Sequence, residues 1–408
     1  MDRCDELASC SEDPKQLTRT FCSPAMASAH DKVRQWMNAA GMTTRLDPLA
    51  NLIGRFDRST SDRPTGQILL VGSHLDTVAN AGRYDGPLGV LIGLGLVELL
   101  RAESARMPFA IDVIGFCEEE GIRYCTPFLG SRAMAGTFHT DLLDRVDVCG
   151  VSMRPAIESF REIAPDCTDT VGYDREKVVG YIEPHIEQGP VLEQNGLPVG
   201  IVDVIAGQSR AAVRFVGRGG HAGTVPMLLR RDALAGAAEW ITQVESFGRQ
   251  TPNAVATVAR LEVTPNISNV ISNDVRLRID ARHRDDATRE KLVLELFQAG
   301  EIIAKRRGLE FAVEWQEQFP AIEMDRALSE SLTAAVTKAG VQPCSLTSGA
   351  GHDAAVMAGR FPTAMLFLRC RGGLSHHPDE SVCTQDVAVA LEVLVRLVYK
   401  LAAEFAPS

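Results

Sequence analysis

His74 and Asp85 stand eleven positions apart, in Gly72-Ser73-His74-Leu75-Asp76-Thr77 and Arg83-Tyr84-Asp85-Gly86. Imidazole and carboxylate are ligands of zinc, manganese and similar ions, so the pair has the composition of half a metal site. Further segments offer the same groups: Glu118-Glu119-Glu120, His185, His352 and His376-His377. Two ions roughly 3.5–4 Å apart can activate one water; such a site needs about three ligands per ion and a bridging carboxylate. Each segment alone has a plainer reading. His-x-Asp can be a hydrogen-bonded structural pair, and consecutive glutamates usually form a solvated helix face. Here the glutamates directly follow an apolar run and precede Gly121. His185 lies between Glu183-Pro184 and Ile186-Glu187-Gln188-Gly189, at the end of another apolar run. The joint pattern is that of a metal centre.

The elements that must position these groups alternate in type. Ala25 to Gly41 reads as a helix ending at a glycine, and Gln67 to Gly72 as a strand that ends on the first motif. Gly86 to Ala102 is apolar nearly all round, the pattern of a buried helix. Phe109 to Phe116 and Lys177 to Ile182 are further apolar strands, each ending on a polar motif. Strand–helix alternation implies a mostly parallel sheet, which binds ligands beyond the carboxyl ends of its strands. From Ala206-Gly207 the pattern changes. Ala211, Val213 and Phe215 alternate with Ala212 and Arg214, and a helix runs from about Arg231 to Phe247. Strands are expected over Asn253 to Val263 and Asp274 to Arg282, then a helix from about Ala287 to Arg307 and a strand from Phe311 to Gln316. This β-α-β-β-α-β order marks a ferredoxin-like unit. The expected fold is therefore an α/β domain with helices on both faces of its sheet, residues 1–206 and 324–408, interrupted by an inserted α+β domain, residues 207–323.

Composition narrows the function classes. The length of 408 residues exceeds one ordinary domain. A formal net charge of -11 argues against nucleic acid as a partner, because backbone binding needs a basic surface. An anionic substrate would then need local positive charge from metal ions and a few arginines. The ten cysteines show no CxxC or zinc-finger spacing, and free thiols in a reducing cytoplasm are expected. The first twenty residues have no apolar h-region, so no secretory signal is expected. No apolar run reaches the ~18 residues that span a bilayer. No GxGxxG or GKS/GKT motif follows the strands, which disfavours nucleotide binding.

The chain resembles the carbamoylase and allantoate amidohydrolase branch of the dinuclear aminoacylase/carboxypeptidase (M20-type) metallohydrolases. The matching segments are GSHLDTV with GRYDG, EEEGIRY, HIEQGPVLE, GGHAGTVPM, NVIS with DARH, SGAGHDA and GGLSHHPDE, in the family's order from residue 72 to 380. The resemblance implies two divalent ions per subunit, manganese or zinc, with cobalt or nickel also compatible with nitrogen and carboxylate ligands. His74, Asp85 and His185 would hold one ion; Asp85, Glu120 and His376 would hold the other, with Asp85 as bridge. Asp76 would fix the His74 tautomer, and Glu119 would act as general base and acid. Glu118 with Glu119 is a rival pairing for these two roles, and His377 is a rival for His376.

The inserted domain would be a lid and a homodimerisation surface, carried on linkers near Ala206 and Pro320 that allow opening and closing. His221 would face the oxyanion, while Gln188, Gln208, Asn269 and Arg282 would bind a small anionic ureido or carbamoyl substrate, arginine gripping a carboxylate bidentately. A binding module that had lost catalysis would lack a ligand or base, and none is missing. Within the branch, Ile205 to Arg210, His221 to Met227 and Arg369 to Gly373 favour allantoate, an intermediate of purine-ureide breakdown. N-carbamoyl-L-amino acids, ureidoglycolate and N-carbamoyl-β-alanine are the alternatives.

Overall fold

The computed structural model describes residues 1–58, 66–103, 107–160 and 172–405. The chain divides into two compact units, Met1–Asp203 with Glu323–Ser408, and Val204–Ile322. The first strands are β1 (Thr43–Leu46), β2 (Leu52–Phe56), β3 (Ile68–His74), β4 (Ala110–Phe116), β5 (Val178–Ile186) and β6 (Val199–Ile205). The inserted segment contributes β7 (Gly207–Val216), β8 (Gly220–His221), β9 (Val255–Thr264), β10 (Val270–Ile271), β11 (Asp274–His283) and β12 (Glu310–Phe319). The chain then adds β13 (Ile322–Glu323), β14 (Ser345–Ser348) and β15 (Thr363–Leu368).

Among the described residues the large sheet runs β1-β2-β4-β3-β5-β15-β6-β13, with β14 paired to β6. Its centre, β4-β3-β5-β15, is parallel, as the alternation of strands and helices implies. The margins are antiparallel: β2 on β4, β1 on β2, and β6 on β15. β3, β4 and β15 are buried along their whole length, which explains their largely apolar sequences; the buried Asp112 of β4 is paired with Arg55. The helix Pro87–Ala102 starts on a proline just after Gly86 and buries ten residues from Pro87 to Leu100, so its all-round apolarity is core material.

One strand is longer than its sequence suggests. β5 continues through Glu183, Pro184 and His185 to Ile186, paired with β15 as far as Ile186↔Leu368. A proline in a central strand is tolerated here because pairing with β3 stops at Val71↔Ile182. Tyr181 N and Glu187 N donate towards the β15 side, so the even-numbered positions face β3, and the missing N–H of Pro184 falls where no ladder bond is required.

In the smaller unit, β12-β7-β11-β9 form an antiparallel sheet, with helices Ala233–Gln250 and Asp286–Arg307 in the expected β-α-β-β-α-β order. Its core joins Ala211, Val213 and Phe215 of β7 to Val275, Leu277 and Ile279 of β11 and to Trp240, Leu292 and Leu296 of the helices. The short ribbon β8-β10 lies outside this order. The nine described cysteines are free; Cys167 lies outside the described residues. No helix among the described residues is long and apolar enough to cross a membrane.

Asn51 fixes the start of the loop after β4. Fully buried, it donates from Nδ2 to Asp47 Oδ2 at 2.6 Å and Gly130 O at 2.9 Å, and accepts from Cys117 N at 3.1 Å. Asn51→Ala leaves those groups buried without partners and should cost about 2–3 kcal/mol, read as a shift in the urea midpoint. An unshifted midpoint would contradict this role.

Candidate metal centre

The parallel strands point the same way, so their carboxyl ends gather the polar motifs at one edge. His74 is the last residue of β3, Cys117 to Glu120 follow β4, His185 is next to last in β5, and β15 leads into the loop that carries His376. Asp85 sits just before the helix Pro87–Ala102, where Gly86 takes φ +81°. A Cβ at Gly86 would lie 2.4 Å from His74 Cε1, so only glycine lets this loop pass so close to the imidazole.

Hydrogen bonding sets the tautomers. His74 Nδ1 lies 3.0 Å from Asp76 O, and His185 Nδ1 2.9 Å from Ile186 O. Carbonyls only accept, so each Nδ1 carries the proton and each Nε2 presents a lone pair. The two Nε2 atoms face each other at 3.5 Å, with Asp85 Oδ1 3.3 Å from His185 Nε2. Across Asp85, Oδ2 lies 3.1 Å from His376 Nε2, which is 3.4 Å from Glu120 Oε1. Ligand-type atoms within 4.8 Å of one another form the groups His74/Asp85/His185, Asp85/Glu120/His376, His74/Glu119/Glu120 and Glu183/His185/His352. The first two share Asp85. Facing lone pairs and carboxylates repel unless positive charge lies between them, and this donor set fits divalent cations.

The carboxylates make the local field favour positive charge at His74 and His376, whereas burial lowers His185. Burial would lower the His74 imidazole, but Asp76, Asp85 and Glu120 outweigh it and raise it to about 9. Hydrogen bonds donated to the Asp85 and Glu120 carboxylates lift His376 to about 10. Burial alone would raise Asp85; His376, His185 and His74 instead hold it well below the usual carboxylate range. Glu119 goes the other way. Burial, Glu120 and Asp353 push it well above that range.

The three glutamates have separate surroundings. Glu118, at φ 52°, turns away and accepts from the N–H groups of Arg123 and Tyr124 at 2.8 and 3.0 Å, closing its own loop. Glu119 and Glu120 face His74. Asp76 holds both in place, its carboxylate accepting from Glu119 N at 3.1 Å and Glu120 N at 3.0 Å. Its backbone carbonyl, rather than this carboxylate at 3.7 Å, is the nearer partner of His74 Nδ1. His377 is half exposed and turned to Asp379, outside these groups. Gln188 Nε2 sits 3.1 and 3.0 Å from the Asp85 oxygens. His352 is buried beside His185 and bonded to Ser348 Oγ at 2.9 Å. Sequence reasoning assigned no role to Glu380, buried against the Asp85 loop, although it is the last residue of GGLSHHPDE.

The smaller unit holds the remaining candidates in two places. His221 pairs with Val270 across the ribbon, and Ala222 N donates to Asn269 O at 2.9 Å, so His221 and Asn269 are neighbours. Gln208 and Arg282 are partners in the β7–β11 register. The structure does not bring the two pairs together. Gln208 lies near the start of β7 and the ribbon follows its end, and Gln208 to Val216 spans roughly 26 Å of strand. Arg282 donates to both oxygens of Asp280, at 2.7 and 3.0 Å, a partner the alternation of the strand could have suggested.

Buried imidazoles and carboxylates converging beyond the carboxyl ends of a parallel sheet make a cluster that could bind metal ions. The chain belongs to Peptidase family M20/M25/M40, whose profile matches residues 70–400. It is 37% identical to "Allantoate deiminase" of Arabidopsis thaliana over 95% of this chain and 79% of that protein. It is 38% identical to "N-carbamoyl-L-amino-acid amidohydrolase" of Pseudomonas sp. (strain NS671), over 90% of this chain and 89% of the relative. A hydantoinase/carbamoylase family amidase from Burkholderia ambifaria superposes with a TM-score of 0.91 at 32% identity, over 98% of this chain and 96% of that one.

Gly86→Ala tests the close approach of loop and imidazole. The added methyl and the positive φ together should cost about 1–3 kcal/mol and lower the metal content of the purified protein. A variant with the parent's unfolding midpoint and metal content would contradict the packing described.

Proposed function

We propose that the chain hydrolyses the ureido C–N bond of allantoate, giving ureidoglycine (or its breakdown product ureidoglycolate), ammonia and carbon dioxide in purine-ureide catabolism. The observation that carries this reading is the Asp85 carboxylate, shared between two imidazole-and-carboxylate triads. The substrate choice draws on the Arabidopsis relative and the 31% identical "Allantoate amidohydrolase" of Escherichia coli (strain K12). The second reading, an N-carbamoyl-L-amino-acid hydrolase, is favoured by the Pseudomonas relative of equal similarity.

His74, Asp85 and His185 would hold one divalent ion and Asp85, Glu120 and His376 the other, manganese first and zinc next. Bound there, the ions supply Lewis acidity and a water of lowered pKa. Glu119 takes a proton from the attacking water and delivers it to the departing nitrogen as the C–N bond breaks. His221 donates to the developing oxyanion. Asn269, Gln188 and Gln208 orient the ureido and carboxylate groups, and Arg282 binds the carboxylate through its planar fork. The inserted unit, residues 207–323, acts as lid and pairs two subunits, with residues 1–206 and 324–408 as the catalytic domain. Exposed Val313, Trp315 and Phe319 on the edge strand β12 support that pairing surface. The opposite placement of His221/Asn269 and Gln208/Arg282 supports a site that draws on two copies of the chain.

Glu119→Gln should lower kcat by about 10²–10⁴ while elemental analysis finds the metal retained; near-normal turnover would refute its role as base. Ammonia release measured side by side from allantoate and an N-carbamoyl-L-amino acid should favour allantoate. Faster turnover of the carbamoyl amino acid would move the assignment to the second reading.

A further inference from the structure

Glu380 is a carboxylate only 3% exposed that neither the ligand set nor the proton transfer uses. Its Oε1 accepts from Tyr84 N at 2.8 Å and Asp85 N at 3.0 Å. Its Oε2 lies 3.1 Å from Ser375 Oγ, which is also 3.0 Å from Asp85 Oδ2. Among the described residues Glu380 belongs to none of the possible ligand groups. It stands four residues after His376, in a loop closed at its base by Arg371 N donating to Ser381 O at 2.9 Å and by the Cys370↔Val382 bridge. One side chain thus ties the loop of Asp85 to the loop of His376. The need for such a tie is local. His74 and His185 are carried on paired strands, whereas His376 has a half-exposed side chain and a left-handed backbone, φ 55°.

We propose that Glu380 is a positioning residue that sets the spacing between Asp85 and His376 and thereby forms the second of the two ion sites, an inference that rests on the ligand assignment above. Its two oxygens act at different places: one accepts from the backbone of the Asp85 loop, and the other packs against Ser375 Oγ, which also borders Asp85 Oδ2. Gly82 leaves the room for it, since a Cβ there would lie 2.4 Å from Glu380 Cδ. Loss of the tie should therefore fall hardest on Asp85/Glu120/His376, which loses the anchoring of both its loops, while His74 and His185 stay on their paired strands and keep the first site.

The test uses the full chain loaded with Mn²⁺, as wild type, Glu380→Ala, Glu380→Gln and Gly82→Ala. Metal per subunit is measured by elemental analysis, and turnover is measured against free Mn²⁺. Wild type should hold two ions. Glu380→Ala should keep one and need roughly 10–100-fold more Mn²⁺ for half-activation, with kcat recovering at saturating metal and KM unchanged. Glu380→Gln, whose carbonyl still accepts both N–H groups, should keep two ions. Gly82→Ala should displace the carboxylate and behave like Glu380→Ala. Two ions with wild-type Mn²⁺ dependence in Glu380→Ala would overturn the proposal. So would joint loss of both ions with a lowered unfolding temperature in both Glu380→Ala and Gly82→Ala. A wild type that takes up no metal would instead overturn the ligand assignment itself.

Discussion

The Asp85 carboxylate, held between His185 on one oxygen and His376 on the other, is the contact on which the site depends. The surrounding imidazoles stabilise its charge more than burial opposes it. It in turn helps to raise His74 and His376. A cluster of this kind is costly to bury unless charges of opposite sign interleave. Interleaved imidazoles and carboxylates, with each Nδ1 of His74 and His185 already committed to a carbonyl, leave the remaining lone pairs aimed inward. That arrangement favours cations over any neutral occupant.

The sheet provides the frame, and the loops provide the strain. Parallel strands deliver His74 and His185 at fixed heights on neighbouring ladders. The other groups arrive on turns, several of them through residues that rarely adopt a left-handed backbone: Glu118 at φ 52°, Gln188 at φ 56° and His376 at φ 55°. Each such residue costs on the order of 1–3 kcal/mol and persists because its neighbours are over-determined. Glu118 is held by two backbone N–H groups, and the Glu119–Glu120 turn that follows is held by Asp76. The concentration of unusual backbone around one carboxylate is what a preorganised reaction site requires.

Much of this frame was legible in the residues. Apolar runs ending on His, Glu and His gave the parallel strands. The alternation of Val275, Leu277, Ile279 and Ala281 with Arg276, Arg278, Asp280 and Arg282 placed β11 with its buried face correct. Less local facts were hidden. The polar motif Glu183-Pro184-His185 reads as the end of the strand from Lys177, because nothing in the sequence says that β3 stops pairing at Ile182 while β15 continues. Three adjacent glutamates look alike until the turn at Glu118 separates them. Glu380 acts through partners set by the fold, 295 positions away for Asp85 N, so a motif can name it without giving it a task.

The proposed site residues divide between the two units. The proposed ligands, Glu119 and Gln188 lie in the larger one, while His221, Asn269, Gln208 and Arg282 lie in the smaller one, in two separated pairs that a single copy of its sheet keeps apart. Anomalous X-ray diffraction from crystals grown with Mn²⁺ tests whether Asp85 bridges two ions. Two anomalous peaks should appear roughly 3.5–4 Å apart, one beside His74 and His185 and one beside Glu120 and His376, each touching an oxygen of Asp85. A single peak at saturating metal, or two peaks with Asp85 bound to neither or to only one, would contradict the bridge.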